Sequence, residues 1–272
     1  PLEISDLQDS YTYGDQEVVL KTTGGSGTGT VSYSVSYADG ESGVISITDG
    51  RMTVLKPGKA TITASKNGDD NYKEVSVSKE ITVGKKELTI DVSVKNKKYD
   101  GTTDAEYEKA PELIGVVKND TVSIAEESGI PSFTDSTVGA GKTVNFTEFK
   151  MEGSDKVNYT LTQPSGITAS IEEGFTAVKD THYNISGDSG TNGWYTSEKI
   201  VIEAISGYEI SKTNTADGTW INSIEITQNT AGETEEFYIR NTTTGEISSK
   251  AEFQYKKDSV EPAGEIRVLE NK

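Results

Sequence analysis

The sequence predicts an all-β chain of three tandem Greek-key β-sandwich domains in an elongated array. Three observations lead there. Short runs of Val, Ile, Thr and Tyr alternate with polar residues, Gly, Asn and Asp punctuate them, and three sequence markers recur at a common spacing. Hydrophobic residues make up only 32% of the 272 positions. That is too few for one large core, but enough for several thin ones, each about 10 Å thick between facing sheets. The length suits two or three domains of roughly 100 residues each.

The recurrence sets the expected boundaries. Tyr13-Gly14-Asp15 and Tyr99-Asp100-Gly101 stand 86 positions apart, Asn71-Tyr72 and Asn158-Tyr159 stand 87, and Ile81-Thr82 and Ile167-Thr168 stand 86. Domains at 1–86 and 87–173 follow, with a third at 174–272 and short linkers near 84–88 and 172–176. In the first, Val31, Tyr33, Val35 and Tyr37 alternate with serines. Ala60, Ile62 and Ala64 alternate with threonines after the turn Lys56-Pro57-Gly58. In the second, Ile90, Val92 and Val94, then Val144 and Phe146, then Tyr159 and Leu161, then Ile167, Ala169 and Ile171 keep period two. Residues 104–116 are read as one short helix or turn. In the third, Ile200 and Ile202, then Trp220, Ile224 and Ile226, then Phe237 and Ile239 share parity. This places Trp220 in the core and Tyr238, out of phase, on the surface. The stretch from Tyr255 through Pro262 reads as a last strand running into a linker.

Charge and composition exclude several functions. A net charge of −18 opposes nucleic acid, whose phosphates need a basic footprint, and opposes anionic membranes. The short cluster Lys95, Lys97 and Lys98 reads as solvated linker. With no cysteine, disulfides, thiolate zinc sites and cysteine nucleophiles are ruled out. No run approaches the roughly 18 apolar residues of a membrane span. No signal peptide or sorting tail is visible, and Pro1-Leu2-Glu3-Ile4 reads as a domain lead-in. The chain is therefore expected to be a piece of a longer protein, and monomeric.

The second unit carries the most specific motifs. Lys98-Tyr99-Asp100-Gly101-Thr102-Thr103-Asp104-Ala105 opens it and Leu113-Ile114-Gly115-Val116-Val117-Lys118-Asn119-Asp120 follows. Then come Phe133-Thr134-Asp135, Val138-Gly139-Ala140-Gly141-Lys142-Thr143-Val144 and Asn158-Tyr159-Thr160-Leu161. This order resembles the YDG domain of large bacterial surface proteins and adhesins, over about residues 88–173. The first unit is similar to MBG-type or bacterial Ig-like repeats, through Tyr11-Thr12-Tyr13-Gly14-Asp15, the glycine-rich 24–29 stretch, Gly58–Ala64 and Asp70-Asn71-Tyr72. The third is similar to Ig-like domains of Firmicutes surface proteins, through Gly193-Trp194-Tyr195, Gly207–Ile210 and Thr244-Gly245. The resemblance implies Ig-like sandwiches in an exported Gram-positive protein of the cell surface or cell wall. It brings no catalytic residues.

Physical roles can be assigned to the marked residues. Gly101 tolerates positive φ, Asp100 can accept from amides two or three residues on, and Tyr99 can lay its ring at the core edge with its hydroxyl on a loop carbonyl. Tyr72 and Tyr159 are expected to act likewise, as in the tyrosine corner, and Tyr13, Asp15, Asn71 and Asn158 belong to the same turn chemistry. The 24–29 stretch lacks the Gly-Lys-Ser/Thr ending of a phosphate loop and reads as a hairpin connection. His182, the single histidine, has no nucleophile elbow beside it. Asp69-Asp70, Glu126-Glu127, Glu172-Glu173 and Glu235-Glu236 are sequence neighbours, which on a strand face opposite ways. No cofactor is expected, the alternative being a loop calcium on Asp69 and Asp70. The surface setting also raises an internal Lys–Asn isopeptide bond, for which the sequence assigns no pair. The leading expectation is a non-catalytic stalk or adhesion-type structural module. The alternative is a module binding cell-surface glycan or a host protein through exposed aromatics of the third domain, Trp194, Tyr195, Tyr208 and Tyr238. An accessory region of a glycan-processing enzyme ranks last.

Overall fold

The computed structural model describes residues 1–260, and the chain is nearly all strand and turn. Among the described residues the helical turns are two short 3-10 segments, Lys156–Asn158 and Thr191–Gly193. The last strand is Ala251–Lys257. The expected run into a linker at Pro262 lies outside the described residues.

One four-stranded sheet plan occurs three times. In the first sheet Ser10–Thr12, Val75–Gly84, Gly58–Lys66 and Val31–Ser36 lie side by side in that order. The second runs Lys97–Lys98, Thr168–Glu172, Gly139–Phe146, Pro131–Phe133. The third runs Trp194–Tyr195, Ala251–Lys257, Thr230–Asn241, Tyr208–Ser211. Each time an early short strand pairs parallel with the last strand, which pairs antiparallel with the strand before it. The two motif tyrosines occupy the matching point. Tyr13 N donates to Gly84 O and Tyr99 N to Glu172 O, both at 2.9 Å.

Period-two patterning explains what lies between the sheets. In Gly58–Lys66 the side chains of Ala60, Ile62 and Ala64 are buried, while the hydroxyls alternate outward, Thr63 meeting Ser78 at 2.8 Å. Ile62 and Ile81 pack in one core with Ile45 and Met52, which belong to the smaller sheet of Val18–Val19, Arg51–Val54 and Ile45–Thr48. Likewise Ile210, Phe237 and Ile239 pack with Ile200, Ile202, Ile224 and Ile226 of the sheet Tyr183–Ser186, Ile200–Ala204, Ser223–Ile226. Two sheets sharing one apolar layer make a β-sandwich. Each fully buried Ile or Met contributes about 2–3 kcal/mol.

The chain divides into two compact units. The first holds Pro1–Ser93, Lys109–Ile130 and Phe146–Ser165, and the second holds Val94–Glu108, Pro131–Asn145 and the chain from Gly166 onward. The core of the first unit runs without a break from Met52 and Ile81 to Leu88 and Tyr159. The strands Val75–Gly84 and Lys86–Val94 are separated by Lys85 alone.

Two sequence expectations need correction here. Residues 104–116 form no helix. Tyr107–Ile114 is a strand at the edge of a sheet beside Lys86–Val94, with Tyr107, Pro111 and Leu113 on its half-buried face. An edge position accommodates Pro111, which has no N–H to donate, and Gly115 at φ 103° ends the strand. Trp220 is half-buried and outside the core. It sits in the loop before Ser223–Ile226, where strand parity does not operate. There its indole N–H donates to Thr215 O at 3.1 Å and the Arg240 guanidinium covers its ring at 4.5 Å.

Candidate functional site

The Tyr-Asp-Gly turn is fixed from three sides, all within the second compact unit. Tyr99 N is held by Glu172 O, and Tyr99 O accepts from Ile247 N at 2.8 Å. The phenol donates to Asn214 O at 2.5 Å. Asp100 Oδ1 accepts from Thr102 N and Thr102 Oγ1, each at 2.9 Å, which is an Asx-turn. Lys97 Nζ closes the turn, 2.8 Å from the same Asp100 oxygen. Gly101 has φ 78°, and a Cβ there would lie 2.5 Å from the backbone nitrogen of Ala216. Burial, then the neighbouring Tyr238 phenol and the Asp100 carboxylate, push the Tyr99 phenol above its ordinary pKa.

Beside this turn lies a hollow of about 360 Å³, bounded by Tyr99, Val138, Glu173, Asn214, Tyr238 and Ser249. Tyr238 reaches it because it faces away from Phe237 and Ile239 on the strand Thr230–Asn241. It is half-buried there rather than freely exposed, since the walls of the hollow cover part of the ring. Val138 is 46% exposed. Lys250 stands at the rim, 2.8 Å from Glu236 and 3.7 Å from Glu252.

The other aromatics picked from sequence are not gathered at this place. Trp194 and Tyr195 are successive residues of a strand and face opposite ways. Lys256 Nζ lies 6.0 Å from the Trp194 ring centre, and Tyr195 sets its ring edge-on to Phe253 at 6.0 Å. Tyr208 packs on Phe175 at 5.9 Å and His182 at 5.0 Å. Tyr208 pairs with Asn241 and Ser211 with Tyr238, which puts the two tyrosines on opposite faces of one sheet. All four are half-buried.

A second constellation centres on a residue to which sequence reasoning assigned no role. In the first unit Asp120 Oδ2 accepts from Tyr13 Oη at 2.8 Å and from Tyr159 Oη at 2.5 Å. Val117 N donates to the Tyr159 phenol at 2.9 Å, and the two rings meet edge to face at 5.4 Å. Burial and the Asp120 hydrogen bond push the Tyr13 phenol up to about 12 and raise Tyr159 further. Asn158 is buried. Asp15 accepts from Thr12 N at 2.7 Å. Tyr72 departs from the role expected of it, being 52% exposed beside Gly27. The turn that carries it is held outward by Asp69.

Asp69 also accounts for the glycine-rich stretch. Its carboxylate accepts from Thr28 N at 2.7 Å, Thr28 Oγ1 at 3.2 Å, and Asn71 N and Tyr72 N at 3.0 Å each. These bonds, the Thr28 amide first, hold its pKa below the usual range. Amides of the 24–29 and 69–72 turns thus meet a carboxylate of the chain itself. Among the described residues no three His, Cys, Asp or Glu side chains are grouped to hold a metal ion. Each lysine of the basic cluster is paired: Lys95 with Glu106, Lys97 with Asp100, Lys98 with Glu172. His182 Nδ1 accepts from Val178 N at 2.9 Å, a turn contact. Among the described residues one lysine is fully buried. Lys257 Nζ donates to Thr227 O, Asn229 Oδ1 and Ser259 Oγ, all at 3.1 Å, so its three protons have three acceptors. The arrangement around Tyr99 and Tyr238 can stack and hydrogen-bond.

Residues 84–166 match the family model of the YDG domain. No curated protein matches the chain. Among solved structures, it is similar to SGBP-B of the Bacteroides ovatus mixed-linkage glucan utilization locus, solved with a mixed-linkage heptasaccharide. That likeness has 13% identity over 94% of this chain and 70% of that one, with a TM-score of 0.22. Another is protocadherin gammaB7 EC3-6, at 11% identity over 94% of this chain and 75% of that one, TM-score 0.24. The eight N-terminal Ig domains of the Down Syndrome Cell Adhesion Molecule match at 12% identity over 92% of this chain and 39% of theirs, TM-score 0.21.

Proposed function

We propose that this chain, with a YDG domain at residues 84–166, is a run of three sandwich modules, 1–86, 87–173 and 174–272, in an exported bacterial surface protein, and that its role there is structural and non-catalytic. The observation that carries this reading is how successive modules are joined. Hydrogen bonds between residues far apart in sequence cross each expected boundary: the Tyr13 phenol to Asp120 in the first unit, and in the second the Tyr99 phenol to Asn214 O and Ile247 N to the Tyr99 carbonyl. Joints made of packed and hydrogen-bonded residues resist bending where a solvated linker would not. The net charge of −18 supports a soluble exterior that repels its own copies. Among the described residues no helix is long and apolar enough to cross a membrane.

Small-angle scattering on the whole chain tests the reading. Dimensions that do not change between low and high salt are expected. A chain whose dimensions vary like beads on a flexible string would overturn it.

A further inference from the structure

We propose that the hollow between Tyr99 and Tyr238 is a binding site for a neutral, β-linked pyranose oligosaccharide. This goes beyond the structural role argued above and does not depend on it.

Size is the first argument. The hollow's volume, about 360 Å³, falls in the range of roughly 300–1,000 Å³ typical of small-molecule sites. Its lining is the second. Two phenol rings and the exposed Val138 side chain supply apolar surface, and a β-linked pyranose presents flat faces of axial C–H groups that aromatic rings cover well. Polar residues line the same space: Tyr238, Asn214 and Glu173, whose side-chain hydroxyl, amide and carboxylate have no hydrogen bond among the described residues. An amide and a carboxylate are the natural partners of paired ring hydroxyls.

Charge narrows the class. The rim lysine, Lys250, is already held by Glu236 and Glu252, while Glu173 adds a negative wall. An anionic sugar would meet repulsion without a free cation to offset it. Rigidity completes the case. Tyr99 is fixed through its N–H, its carbonyl and its hydroxyl. On the other wall Ser248 Oγ accepts from Ile239 N at 3.0 Å and donates to Ser249 O at 2.8 Å. A site built on held backbone loses little entropy when it is filled.

The test is calorimetric titration of the whole chain with cellohexaose and with chitohexaose, using 3′-sialyllactose as the charged comparison. At least one hexaose is expected to bind saturably, and sialyllactose is expected not to. Tyr238→Ala should weaken binding about tenfold or more, corresponding to about 1.4 kcal/mol, and Tyr238→Phe should fall between it and the parent. Val138→Arg fills the hollow from an exposed position and should abolish binding while leaving the near-ultraviolet circular dichroism unchanged. Trp194→Ala, elsewhere on the chain, should bind like the parent. Failure of both hexaoses to bind, equal binding by Tyr238→Ala, or a loss confined to Trp194→Ala would each overturn the proposal. A scattering result against the structural role would leave this one standing.

Discussion

Asp120 accepts two phenols on one carboxylate oxygen, and much of what the first unit gains at its joint rests on that single side chain. Hydrogen bonds to a charged acceptor are worth about 1.5–3 kcal/mol each, and losing the acceptor leaves two buried phenols without an acceptor for their protons. Asp120→Ala should therefore lower stability by about 3 kcal/mol in urea denaturation. Tyr13→Phe made in that background should cost almost nothing more, since the partner is already gone. The alkaline limb follows from the same contact. A phenol raised from about 10 in the unfolded chain to about 12 when folded contributes stability that is fully present below pH about 10. That stability is lost as pH climbs through about 12. Tyr13→Phe should flatten this loss, read as the urea midpoint against pH. Tyr13 could be singled out from sequence because it recurs as Tyr99. Asp120 could not, because its partner lies 107 residues away and only the fold brings them together. Lys257 is another such case. An ammonium enclosed by Thr227, Asn229 and Ser259 has no signature in the run Tyr255-Lys256-Lys257. Lys257→Ala should cost about 3 kcal/mol by thermal or urea unfolding, since it removes a buried stem and strands three acceptors, and Lys257→Met should recover part of that.

Among the elements, turns and strands differ in how far sequence reveals them. The Tyr-Asp-Gly turn is written in adjacent residues, because an Asx-turn and a left-handed glycine are local chemistry. What makes Gly101 irreplaceable is not local. Its missing Cβ leaves room for the backbone at Ala216, whereas Gly141, at φ 60°, has open space around it. Gly141→Ala should cost about 1 kcal/mol for strained φ alone. Gly101→Ala should cost clearly more, and the difference between the two urea midpoints measures the close approach. Strand parity was a sound guide along Thr230–Asn241: Phe237 and Ile239 are buried and Tyr238 faces away from them. It failed at Trp220, which lies in a loop, and the helix-or-turn reading failed at 104–116. There Leu113 and Val116 are separated by a glycine bend and never share a helical face. The four aromatics of the third segment share a composition, not a place, and only Tyr238 meets the Tyr99 turn.

For the whole molecule, the all-β class was legible from composition and period two. The partition into compact units was not, because it depends on Lys109–Ile130 and Phe146–Ser165 returning to the core that holds Met52 and Ile81. A fragment of residues 1–86 lacks Leu88, Asp120 and Tyr159. It should unfold at a clearly lower urea concentration than a fragment of residues 1–173, and equal midpoints would mean that the joint contributes nothing. The threefold sheet plan has a mechanical consequence. In each of the three four-stranded sheets an early, short strand runs parallel to the strand nearest the end of its segment. Pulling the chain from both ends draws such a pair past each other lengthwise, so their hydrogen bonds are strained together in shear and must give way at once instead of peeling open one by one. A tether built this way yields in abrupt steps and holds firm between them.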